Sequence, residues 1–70
     1  MKKKLIINGM ISNHCKQRVE KLLTEIQGIL FVEVFLEKKT AVVEFEGELD
    51  LFTIEAALHK GGYQLQEIKD

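Results

Sequence analysis

Twice along this chain a run of alternating, β-branched residues gives way to a helix-spaced run and then to a second alternating run, each repeat roughly thirty residues long. "KKKLIIN" (Lys2–Asn8) places Leu5 and Ile7 on one face of a strand. From Asn13 to Gln27, Val19, Leu22, Leu23 and Ile26 recur at i, i+3, i+4 and i+7, which predicts an amphipathic helix. Gly28 stands where a left-handed C-terminal cap is expected. "ILFVEVFLE" (Ile29–Glu37) is β-branched and aromatic, with Val32, Val34 and Leu36 on one face and Phe31, Glu33 and Phe35 on the other. Lys38 and Lys39 turn the chain, and "TAVVEFE" (Thr40–Glu46) returns with Ala41, Val43 and Phe45 facing one way.

The second helix is announced by Asp50 as N-cap, with Leu49 and Ile54 at the N′ and N4 positions of a hydrophobic staple. Ile54, Ala57 and Leu58 form its buried stripe, Gly61–Gly62 stops it, and "YQLQEI" (Tyr63–Ile68) is the last strand. Strand–helix–strand, twice, is the split βαβ arrangement of the α+β, ferredoxin-like βαββαβ fold. Right-handed crossovers put both helices on one face of a four-stranded antiparallel sheet in the order 4-1-3-2. No linker or low-complexity tract interrupts residues 1–70, so the expectation is a single domain.

Composition bounds what such a domain can do. At 46% apolar and 30% charged it is ordinary globular material. A core of this size contributes only about 3–5 kcal/mol net, and one cysteine cannot form an internal disulfide, so packing, a metal or a partner must help. A net charge of −1 with both signs interspersed argues against nucleic acid as partner, because phosphate neutralisation supplies most of that affinity. Apolar runs of three or four residues exclude a helical membrane span. "MKKK" begins like an export signal, but "LII" is too short and Asn8 and Gly9 follow. One unpaired cysteine and no export signal point to a reducing, cytoplasmic setting.

The chemistry concentrates in "NGMISNHCKQRVEKLL" (Asn8–Leu23), where the sole cysteine sits at a helix start. Ser12 is well suited as N-cap, its hydroxyl accepting an N–H of the first turn, a contact worth about 1 kcal/mol. Cys15 is then N3, where the helix dipole and free N–H groups favour a thiolate, with Lys16 and Arg18 near enough to help.

"GMISNHC" between a first strand and first helix resembles the GMxCxxC loop of heavy-metal-associated domains, the copper chaperones and amino-terminal modules of metal-transporting ATPases. The resemblance covers essentially the whole chain, including "VEVFLEKKTAVVEF" and "ALHKGGY". Bacterial copper chaperones are similar further in having His before the second Cys and Tyr after the glycine of the last loop. In that family two cysteine thiolates hold Cu(I), or Zn(II), Cd(II) or Hg(II) in some relatives, and pass it to a docked partner. The resemblance therefore implies a metal site at Cys15, His14 and the Ser12 position. It implies support from Met10 and Tyr63, and docking on a metal-transporting P-type ATPase or its metal-binding domain.

This sequence departs from the pattern where the first cysteine should stand: that residue is Ser12. A soft ion such as Cu(I) selects thiolate sulfur, and a neutral hydroxyl does not replace it. Two arrangements remain. One chain could offer Cys15 with His14 or an external thiol such as glutathione. Adjacent residues point about 100° apart on a helix, however, and cannot span a linear ion without loop rearrangement. Alternatively two chains could share the ion through both Cys15 sulfurs, with His14 as an outer or third ligand, which restores two thiolates. The residues also have plainer readings. A lone cysteine is often an inert small hydrophobe, Met10 is a core plug beneath the loop, and Tyr63 either shields the site or covers a helix end. His59 is expected to be exposed. Ile6, Phe31, Phe35 and Val42 are expected to form an apolar stripe on the open sheet face, a surface that would suit self-association or a partner.

Enzyme readings fare poorly. The acylphosphatases that share this fold carry an arginine in the first loop, and "NGMISNHC" has none. Neighbouring His14 and Cys15 lack the third group that would orient a base. RNA-recognition domains stack bases on aromatics where Ile6 and Val42 stand here. A metal-independent interaction module that keeps the fold is the alternative to metal traffic.

Overall fold

The computed structural model describes residues 1–69. The elements are β1 (Lys2–Asn8), α1 (Asn13–Thr24), β2 (Ile29–Phe35), β3 (Thr40–Phe45), α2 (Leu51–Lys60) and β4 (Gln64–Lys69). The strands form one antiparallel sheet in the order β2-β3-β1-β4, the expected βαββαβ topology. Leu5 and Ile7 of β1, Ala41, Val43 and Phe45 of β3, Val34 of β2, Val19 and Leu23 of α1, and Ile54 and Leu58 of α2 bury into one cluster between sheet and helices. Period-2 and period-3.6 patterns thus converge on the same core.

Two differences from the sequence reading have physical causes. Helix α1 ends at Thr24, not Gln27; Glu25 is its C-cap, and Ile26 and Ile29 close successive turns onto Leu23 O and Ile26 O. Gly28 does adopt a left-handed φ of +95°, but it steers the chain into β2, where its carbonyl accepts the Glu46 N–H at 2.9 Å.

The second difference concerns the open sheet face. Register places Thr40 between Phe35 and Ile6, and Val42 between Glu33 and Lys4. Phe31 lies opposite Glu44. The apolar residues are therefore interleaved with polar and charged neighbours, and Lys38 lies 5.8 Å from the Phe35 ring centroid. Directly across the strands, each of these apolar residues meets a polar or charged one.

α2 is fixed at both ends. Asp50 Oδ1 accepts the Phe52 N–H at 3.0 Å and Oδ2 accepts the Thr53 hydroxyl at 2.9 Å. Leu49 packs against the core cluster to which Ile54 belongs, in keeping with the expected hydrophobic staple. At the other end Gly62 is left-handed (φ +91°), its N–H donating to His59 O, while the Tyr63 N–H reaches Leu58 O at 2.9 Å. This 6→1 and 5→2 pair is a Schellman motif, and it carries Tyr63 directly into the core beside Leu58.

Candidate functional site

β1 delivers the chain at Gly9, whose φ of +104° belongs to the left-handed region that a side chain rarely adopts. A Cβ there would also meet the Tyr63 ring at 3.4 Å and the Gly62 carbonyl at 3.5 Å. This close approach sets the β1–α1 loop against the end of α2. Met10 then drops into the core at 3% exposed, filling the space beneath the loop, while Ile11 stands out at 87% exposed. Ser12 is the extended N-cap of α1.

Ser12 and Cys15 contact each other twice. The Cys15 N–H donates to Ser12 Oγ at 3.4 Å, and the Ser12 hydroxyl donates to Cys15 Sγ at 3.6 Å. Cys15 is a free, partly exposed thiol that packs on the edge of the core cluster. Its pKa is lowered from 9.0 to about 7, chiefly by the Ile11 backbone N–H and then by the Tyr63 and Ser12 hydroxyls; partial burial opposes the shift. Near neutral pH about half of such a thiol is thiolate.

Lys16 and Arg18, expected from the sequence to help, are not among the causes. Arg18 acts on Tyr63 instead, favouring its ionised form slightly. Burial and the neighbouring Cys15 outweigh it and raise the phenol pKa. Tyr63 therefore stays a neutral hydroxyl donor facing a sulfur that carries charge. Its ring is 3% exposed, so it belongs to the core while its hydroxyl serves the site. Gly61 makes room for it, because a Cβ there would sit 2.6 Å from Leu22 Cδ1 and 3.0 Å from the Tyr63 ring.

The structure thus brings Ser12, Cys15 and Tyr63 together and leaves His14 exposed at the second position of α1. His59 is exposed near the end of α2, lining a groove of about 440 Å³ together with Phe52 and Tyr63. Among the described residues no group of three or more His, Cys, Asp or Glu side chains could hold a metal ion. Within one chain the site offers a single thiolate, which does not satisfy an ion that selects two. The Schellman motif and the Ile11 N–H were missed by sequence reasoning. The first was signalled by Gly61–Gly62 directly before an aromatic residue; the second had no sequence signal.

Comparison with known proteins places this geometry. Residues 4–64 match the heavy-metal-associated domain family. The copper chaperone CopZ of Enterococcus hirae is 38% identical over 69 residues, spanning 97% of this chain and all of that protein. Copper-transporting ATPase 2 of Rhizobium meliloti is 39% identical over 57 residues, which is 81% of this chain and 7% of that much longer protein. Among solved structures, a CopZ metallochaperone superposes with a TM-score of 0.86 at 27% identity, covering 94% of this chain and 100% of the other. The chain belongs to the heavy-metal-associated domain family, in its copper-chaperone-like branch.

Proposed function

We propose that this domain carries Cu(I) as cargo, with Cys15 as its own single sulfur donor and the second sulfur supplied by another molecule. What supports this most is the placing of Cys15, a free and partly exposed thiol at the loop where the family binds metal, beside the Ser12 hydroxyl and with its pKa lowered to about 7 by the Ile11 N–H and the Tyr63 and Ser12 hydroxyls. A purely structural cysteine in an apolar setting would have its pKa raised and its sulfur enclosed. Ser12 preserves the helix start and the loop, and contributes a hydroxyl donor to the sulfur rather than a ligand bond.

Binding by one chain alone is expected to be weak, and completed in a shared complex between two thiolates. His14 is free to swing in as an outer or third ligand in such a complex. The relatives include a copper chaperone and a copper-transporting ATPase, so docking on a metal-transporting ATPase module is the expected route of transfer. Zn(II), Cd(II) and Hg(II) are secondary candidates, since each also accepts thiolate. The domain is read as a binding protein and not an enzyme.

The test is anaerobic Cu(I) titration in competition with a chelator, with and without an added small thiol, on the parent and on Cys15→Ala. Uptake that is strengthened by the thiol and lost in Cys15→Ala supports the proposal. Equal uptake by both proteins overturns it. No uptake under either condition favours the metal-independent interaction module.

A further inference from the structure

The two edges of the sheet are defended to different degrees. Among the described residues, β2 and β4 each have a strand on one side only. An open edge offers a row of unpaired backbone N–H and C=O groups to any chain that can extend the ladder, unless a bulge, a charge or a proline spoils it. β4 is spoiled in its middle and at its end. Ile6 pairs with Glu67 and Ile7 with Leu65, so Gln66 is an extra residue in the ladder, and Lys69 and Glu67 form an ion pair at 3.3 Å.

β2 has one such irregularity, at its start, where Leu30 has no residue opposite. From Phe31 to Phe35 its pairing with β3 is regular. This run contains no Lys, Arg or Pro, and Glu33 is its one charge. Phe31 is 55% and Phe35 38% exposed, large aromatic surfaces for an edge strand. On the β3 side they meet Glu44 and Thr40, so neither finds an apolar partner directly across the ladder.

The run reads Phe-Val-Glu-Val-Phe, the same in both directions. Residues directly opposite in an antiparallel pair lie on the same face, so only alternate registers keep Val32 and Val34 on the helix side. Among those, the register about Glu33 is the one that uses every residue from Phe31 to Phe35. It sets Phe31 against Phe35 of a second copy, Val32 against Val34, and Glu33 against Glu33. The palindrome therefore meets its own copy like on like. Aromatic pairs form on the open face and valine pairs on the helix face, both favoured across strands, around one like-charge pair on the twofold axis.

We infer that two copies of this domain pair edge to edge through Phe31–Phe35 of β2, antiparallel about Glu33, into one eight-stranded sheet. The pairing consumes the β2 edge of both copies and leaves the blunted β4 edges outside, so it stops at a dimer. Glu33 against its own copy keeps the dimer weak and reversible. Neither Cys15 nor copper takes part, so the inference stands apart from the copper reading. The end of β2 lies beside the start of α1, where Asn13 and Lys16 line a groove with Phe35 and Lys38. An antiparallel pair thus turns the two Cys15 ends in opposite directions along the sheet and leaves both open, unlike a dimer bridged through sulfur.

Sedimentation equilibrium of the full chain, metal-free under a chelator and a phosphine reductant, tests the pairing. Concentrations run to about 1 mM, where interfaces of the small, transient class are populated. A monomer–dimer equilibrium is expected, and it should persist in Cys15→Ala. Glu33→Gln removes the like-charge pair and should tighten the dimer about threefold. Two double variants test the register. Phe31→Lys/Phe35→Lys sets like charges against each other twice and should weaken the dimer at least about tenfold. Phe31→Lys/Phe35→Glu sets opposite charges there and should recover most of that loss. Within one chain the two positions lie about 13 Å apart along the strand, too far to pair with each other. Both variants lose the same exposed aromatics, so recovery in one alone is not a folding effect.

Amide hydrogen exchange gives a second readout: protection should rise with concentration in β2 and stay constant in β4. A monomer throughout the range overturns the inference, as does association that vanishes in Cys15→Ala. Equal association by the two double variants, growth beyond the dimer, or protection gained in β4 instead of β2 overturns it as well.

Discussion

The two strand-to-helix passages of the fold occupy equivalent positions in its two halves, yet they are built differently. At α2, Asp50 commits both carboxylate oxygens to the first turn, and Leu49, just before it, packs against the core cluster that holds Ile54. At α1, Ser12 has one hydroxyl, which accepts from the Cys15 N–H and donates to the Cys15 sulfur. No staple forms there: Ile11 at N′ is exposed and Lys16 occupies N4. Met10, one residue earlier, anchors the loop instead. The first passage spends its capping group on a side chain with chemistry, while the second spends it on holding a helix. Moving the anchor one residue back lets the tip of the loop project without loosening its root.

Exchanging the capping chemistry should expose the contrast most sharply. Ser12→Cys restores the family's pair of thiolates, and Cu(I) affinity in anaerobic competition is expected to rise by orders of magnitude, since both donors then come from one chain. Asp50→Cys at the second passage should leave affinity unchanged, and a comparable gain there would erase the distinction between the two passages.

Anchors rank next. Met10→Ala removes a buried side chain and is expected to cost about 2–5 kcal/mol in urea unfolding, the usual range for such truncations. Leu49→Ala, at a half-buried staple, should cost less, about 1 kcal/mol by area removed from water. The reverse order would mean that the first loop is held by something other than Met10.

Acidity of the thiol gives a subtler contrast. In Tyr63→Phe the thiolate loses a hydrogen-bond donor, so its ionised form is less favoured and the pKa must rise from about 7. The pH profile of Cys15 alkylation reads this as a rightward shift of its midpoint. Ser12→Ala should shift it in the same direction by less, because the Ser12 hydroxyl ranks below that of Tyr63. Asp50→Ala should not shift it at all. The smallest effect is on stability, where each cap removal, Ser12→Ala or Asp50→Ala, is expected to cost about 1 kcal/mol. The two differ only in whether the alkylation profile moves with them.

The second passage was legible residue by residue, because Asp50, Leu49, Ile54 and Gly61–Gly62 are local signals whose partners lie within a few positions. The first was half legible. Ser12 as cap and Met10 as plug follow from spacing and the loop motif. The cause of the acidity of Cys15 does not, since Lys16 and Arg18 are its neighbours in sequence while Ile11 and Tyr63 are its neighbours in space. Helix α1 reads too long because Glu25 and Gln27 are good helix formers, and only the need to enter β2 at Ile29 stops it. The open sheet face misleads for a similar reason. Alternation within one strand says which way Phe31 and Phe35 point, but only register reveals that Glu44 and Thr40 stand beside them.

Gly61 draws one further consequence from this arrangement. The gap it leaves is narrower than a methyl group, with Leu22 of one helix and the Tyr63 ring closing on it from either side. Alanine at this position would press on the Leu22 methyl and on the Tyr63 ring, and so bear on the phenol–sulfur contact without replacing any polar group of the site. A missing carbon atom is thus one step, through the Tyr63 hydroxyl, from the group that eases the loss of the thiol's proton.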